Sequence, residues 1–185
     1  MAIASRRRRF TVEEYHRLGE AGILREDDRV ELIDGEIIEM TPIGERHALS
    51  VIHLNNVLAR GLEGRALVSP QNPLRLGPHS EPQPDLVLLP PSLNRFPSAP
   101  DALLVIEVAD TSLAYDRDTK LPRYARAGIP EAWIVDLEGH AVEVHRTPGP
   151  TGYGDVRRLG RGAFVSPAAF PDLRLAVDEI LGPAR

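Results

Sequence analysis

The chain has 185 residues, 42% of them hydrophobic and 26% charged, with a formal net charge of −5 at pH 7 and no cysteine. That length suits one domain with a sizeable core. The absence of thiols excludes disulfides, thiolate metal sites and thiol nucleophiles, and a pI near 5.7 argues against a protein that coats nucleic acid by neutralising phosphates. No apolar run approaches the roughly 20 residues of a bilayer-spanning helix, so no membrane partner and a cytoplasmic location are expected.

Residues 1–9 carry the one dense basic run, Arg6 to Arg9, and are expected to form a disordered, solvated arm ahead of a single domain over residues 10–185. Thr11 is the expected N-cap of a short helix containing Glu13, Glu14, Tyr15 and Leu18, which stops near Gly19 and Gly22. Val30 to Met40 contains Asp34-Gly35 between two apolar runs, a strong hairpin signal. With that pair as the turn, Ile33 opposes Glu36 and Glu31 opposes Ile38. Glu31, Ile33, Glu36, Ile38 and Met40 then share one largely apolar face.

From Glu45 to Leu62, apolar residues at 49, 52, 54, 57, 58 and 62 recur at helical spacing, and His47 falls in the first turn, where the default is a surface histidine. Short strands are expected near Ala66–Ser69 and Pro73–Leu76. Pro84 to Pro90 is an apolar strand with Asp85 at its start, and Ala102 to Ala109 is unbroken hydrophobe except for Glu107, as suits a central strand buried on both faces. A carboxylate there must be protonated, paired with a cation or bound to a metal. A helix is expected over Asp116–Ala127, with Gly128 just past its end. Pro122 pushes its regular start to Asp118 or Thr119, which puts Lys120 in the N-terminal turn. Glu131–Leu137 and His140–His145 form a second hairpin, Pro148–Gly154 is a Gly/Pro loop, a strand follows near Val156–Leu159, and a last helix covers Val177–Leu181. Trp133 and Tyr124 are expected core aromatics, and Asp136 and His53 structural or solvated groups.

Lys120 is the sole lysine; every other Lys or Arg position is arginine. An ammonium is a compact charge with an adjustable pKa, which a guanidinium is not. Asp85 and Glu107 on successive strands supply oxygen ligands of the kind that hold Mg2+ or Mn2+, and a nearby lysine can stabilise a hydroxide or a scissile phosphate. A structural ion pair between Glu107 and Lys120 is the plainer alternative. No phosphate-binding loop, dinucleotide fingerprint, nucleophile elbow or HExxH helix is present.

Pro84-Asp85 followed by Glu107 inside an apolar strand resembles the PD-(D/E)XK nuclease signature. The wider pattern resembles the Uma-type restriction endonuclease family: Glu31 to Glu36, His47, Pro84 to Leu86, Val105 to Val108, Asp116 to Lys120, Tyr124 and Glu131 to Asp136. The resemblance spans roughly residues 10 to 181. It implies an α/β, restriction-endonuclease-like core with a mixed central β-sheet flanked by α-helices, a divalent metal such as Mg2+ or Mn2+, DNA as substrate and a homodimer. It also implies metal ligation by Asp85, Glu107 and the Val108 carbonyl, with Glu31 joining the site. The superfamily lysine two residues after the second acid is Ala109 here, so that role passes to Lys120 as a migrated lysine. That departure also leaves open a catalytically weak nucleic-acid- or protein-binding module on the same fold.

Overall fold

The computed structural model describes residues 7–25 and 27–182. A six-stranded sheet runs in the order β3 (Leu67–Pro70), β4 (Leu86–Leu89), β5 (Leu104–Ala109), β6 (Glu131–Asp136), β7 (Ala141–Gly149), β8 (Gly152–Gly160). Only β5 and β6 are parallel; the other neighbours are antiparallel, so the sheet is mixed as expected. The parallel pair needs a crossover, which α3 (Leu113–Tyr115), a π turn over Asp116–Lys120 and α4 (Leu121–Arg126) supply. That helical crossover covers one face of the sheet. The other face packs against α2 (Glu45–Gly61) and α5 (Val177–Leu181), giving two apolar layers with the sheet between them. No helix among the described residues is long and apolar enough to cross a membrane.

The local signals at the N-terminal end are realised. Thr11 caps α1 (Val12–Glu20), its hydroxyl accepting from the Glu14 N–H while the Glu14 carboxylate accepts from the Thr11 N–H. β1 (Val30–Ile33) and β2 (Glu36–Glu39) pair in the expected register, Ile33 opposite Glu36 and Glu31 opposite Ile38. Asp34 and Gly35 both have positive φ, 49° and 80°, as a type I′ turn requires. Gly35 is needed twice over, because a Cβ there would lie 2.5 Å from the Arg9 Cβ. Of the expected arm, residues 1–6 lie outside the described residues. Arg8 pairs with Glu14, and the Phe10 N–H donates to the Gly35 carbonyl.

Four expectations are corrected. On α2 the buried stripe is Val51, Leu54, Val57 and Leu58, while Leu49 and Ile52 are 46% and 59% exposed. Positions 47, 51, 54 and 58 share a helical face, and 49 and 52 fall beside it. Pro73–Leu76 is no strand, because its amides pair with scattered partners: Leu74 with the Pro82 carbonyl, Arg75 with Pro97 and Leu76 with Ser80. The crossover helix begins at Leu113, earlier than Pro122 suggested. The π turn absorbs the proline by bonding the Leu121 N–H back to the Asp116 carbonyl, and it places Lys120 in the interior of the helical run. Finally, Pro148–Gly154 is the closing part of a long hairpin: Pro148 opposes Tyr153 and Gly149 opposes Gly152.

Candidate active site

Strand register decides where the two acids meet. Leu86 opposes Ile106 on β4 and β5, so one antiparallel step further sets Asp85 across from Glu107. Along β5, Leu104, Ile106 and Val108 join the layer under α2, whereas Val105 and Ala109 join the layer under α4. Period-two alternation therefore turns Glu107 toward α4. Asp85 Oδ2 accepts from the Val108 N–H at 2.8 Å and lies 3.0 Å from His47 Nε2. In an extended strand the N–H and C=O of one residue point to the same side, so the Val108 carbonyl shares the side of β5 that Asp85 occupies.

Lys120 reaches into the same space from the π turn. Its Nζ lies 3.2 Å and 3.3 Å from the two Glu107 oxygens, 3.5 Å from Glu31 Oε2 and 3.5 Å from the Gln83 carbonyl. The Tyr124 hydroxyl donates to Glu107 Oε1. Glu31 is held by the Gln83 N–H at 3.1 Å and by the Tyr115 hydroxyl at 2.9 Å. Asp116 accepts from the Ser112 hydroxyl at 2.6 Å. A cleft of about 450 Å³ opens over these groups, with Ile38, Met40, Pro42 and Ile43 along its rim.

Glu31, Asp85, Glu107 and Asp116 are all buried, and Lys120 is buried among them. One ammonium and His47 thus face four carboxylates. Burial pushes the Glu107 carboxyl well above its ordinary value, and Asp116 and Asp85 push it further while Lys120 and the Tyr124 hydroxyl pull it back. Burial likewise raises Asp116 despite Lys120 and Ser112. Burial acts to lower Lys120, but Glu107, Glu31, Asp116 and Asp85 outweigh it and hold the ammonium charged. The hydrogen bond that His47 donates to Asp85 raises the imidazole against the opposing effect of burial. The cluster is therefore short of positive charge, and Glu107 and Asp116 hold a proton more tightly than free carboxyls do.

Hard oxygen donors with uncompensated negative charge suit a divalent cation. Among the described residues no three His, Asp or Glu side chains converge as a metal cage. The donors that fit are fewer: the Asp85 and Glu107 carboxylates and the Val108 carbonyl, a set that leaves positions for water.

Asp85, Glu107, Lys120 and Glu31 thus all line one cleft, and Val108 joins them through its backbone, its N–H bonded to Asp85. Glu36 does not; it is exposed and sits 3.7 Å from Arg7. His47, expected at the surface, is partly buried against Asp85, and its place on the stripe with Val51, Leu54 and Leu58 was the signal for it. Asp116, Tyr115 and Ser112 were not singled out for the site; the π turn that aims them has no simple sequence signature. Trp133 is core, its Nε1–H donating to the buried Glu131 at 2.9 Å. Asp136 pairs with Arg158 at 2.9 Å, away from the cleft.

No curated protein matches the chain. Among solved structures, one described as a putative nuclease belonging to DUF820 from Anabaena variabilis superimposes with a TM-score of 0.73. It is 19% identical, over 93% of this chain and 97% of that one. At that identity the likeness is one of fold, a restriction-endonuclease-like core. The model of the Uma2 family, described as putative restriction endonuclease, matches residues 12–178, and by that match the chain belongs to this family.

Proposed function

We propose that the protein is a divalent-metal-dependent endodeoxyribonuclease. The observation that carries this reading is the convergence of Asp85 and Glu107 from adjacent strands on a buried site with four carboxylates and one lysine. Asp85, Glu107 and the Val108 carbonyl would hold Mg2+ or Mn2+, and the ion would supply Lewis-acid polarisation of a phosphate oxygen and a more acidic water. The chain's own groups set up the rest. Lys120, fixed by Glu107 and Glu31, places an ammonium beside the nucleophile or the charge that develops at phosphorus. Glu31, oriented by Gln83 and Tyr115, is placed to accept a hydrogen bond from the attacking water. Tyr124 orients Glu107, and His47 orients Asp85.

The migrated lysine supports this assignment, because Lys120 reaches Glu107 from the helical crossover while β5 carries Ala109 at the usual lysine position. The same Ala109 supports the second reading, a binding module that has lost turnover. Incubating supercoiled plasmid and single-stranded DNA with the protein and Mg2+ or Mn2+ separates the two. Cleavage that disappears in folded Asp85→Ala and Glu107→Ala variants fits the nuclease. Salt-sensitive DNA binding without turnover under either metal fits the module, and cleavage that survives both substitutions removes the site.

A further inference from the structure

Strand β8 ends the six-stranded sheet, and among the described residues nothing pairs with its outer side. It is nine residues long, and most of it is exposed or half-exposed, Val156 at 54%. A long open edge presents a row of unpaired N–H and C=O groups, which natural proteins blunt or use. Its centre, Asp155-Val156-Arg157, is complementary to itself when reversed about Val156.

We propose that β8 is the docking edge for a second copy of this chain, pairing antiparallel about a two-fold axis at Val156 so that the two sheets become continuous. In that register Val156 meets the partner's Val156, and Asp155 meets the partner's Arg157 on both sides of the axis. A shift of the axis by one residue destroys the match: centring on Arg157 sets guanidinium on guanidinium, and centring on Asp155 sets carboxylate on carboxylate. Opposite charges directly across an antiparallel pair stabilise it and like charges destabilise it. Within one chain Asp155 and Arg157 already pair at 3.3 Å, with 39% and 64% of their side chains exposed. An exposed pair of this kind is worth little, so exchanging it for two pairs across the axis loses little. A two-fold axis also makes the contact closed, one patch against itself.

The chain has no cysteine, so Val156→Cys introduces a single thiol. Directly opposed residues of an antiparallel pair have Cα atoms about 4.5–5.5 Å apart, within disulfide range. Mild oxidation of dilute protein is expected to convert Val156→Cys to a covalent dimer, while Ile52→Cys, exposed on α2, forms no cross-link. In sedimentation the wild type is expected to run as a dimer, Asp155→Arg to raise its dissociation constant about tenfold, and the added Arg157→Asp to restore it to within about threefold. A monomeric wild type, a Val156→Cys protein that cross-links no faster than Ile52→Cys, or an Asp155→Arg dimer of unchanged affinity would each overturn the proposal. None of these readouts involves metal or cleavage, so they stand apart from the nuclease reading.

Discussion

Lys120→Met removes the one ammonium from the acid cluster while keeping most of the side chain's bulk. Two buried carboxylates, Glu107 and Glu31, lose their cation, and breaking a buried pair from one side costs about 3–5 kcal/mol. The pH dependence follows from proton linkage. Glu107 already titrates above its unfolded value of 4.5, and without Lys120 it rises further. The folded variant then holds a proton that the unfolded chain releases, so stability is retained below pH about 4.5 and lost as pH rises toward the folded pKa. The slope is about 1.4 kcal/mol per pH unit for each such proton. Urea unfolding of wild type and Lys120→Met without metal, at pH 5 and pH 8, reads this directly. The variant is expected to be about 3–5 kcal/mol less stable than wild type at pH 8 and to lose less at pH 5. A difference that does not change with pH, or a variant as stable as wild type at pH 8, would refute the claim that Lys120 neutralises a buried acid cluster.

Three further outcomes follow from the same geometry. Tyr124→Phe removes the hydroxyl that donates to Glu107 and should cost about 1.5–3 kcal/mol in chemical denaturation; a change under about 0.5 kcal/mol would show that the bond is not formed. Leu54→Ala, in the buried stripe of α2, should cost about 2–5 kcal/mol, whereas Ile52→Ala on the exposed face should stay within about 0.5 kcal/mol; equal losses would place the stripe wrongly. Because Glu107 and Asp116 titrate above their ordinary values, Mg2+ binding at this site competes with protons. Calorimetry in buffers of different ionisation enthalpy should therefore show proton release and affinity rising with pH, and binding without proton release would contradict the charge count.

Much of this site can be read from the sequence, and the parts that cannot share a cause. Asp34-Gly35 sets the hairpin register through turn geometry, which places Glu31, and Thr11 with Glu14 makes a local capping box; both depend on residues a few positions apart. Glu107 stands out because a carboxylate in an apolar strand demands a partner. Asp85 follows because strand alternation carries it to the same face. His47 was misplaced because Leu49 and Ile52 were counted in the apolar stripe, which rotates the helix away from the register set by Val51, Leu54 and Leu58. Asp116 and Tyr115 depend on the π turn that accommodates Pro122. That turn is chosen by how the helical crossover packs onto the sheet, a tertiary effect with no local pattern. The open edge of β8 was hidden for a similar reason, since Pro148 to Gly154 has loop composition yet is held in the ladder by its long partner β7.

The most direct measurement of the central claim is calorimetric titration of Mg2+ and Mn2+ into wild type and Glu107→Ala, followed by a plasmid cleavage assay on the same samples. Binding and metal-dependent cleavage in the wild type, both lost in a folded Glu107→Ala protein, is the predicted result. A wild type that binds neither metal even with DNA present would contradict it and leave Glu107 and Lys120 as a buried ion pair.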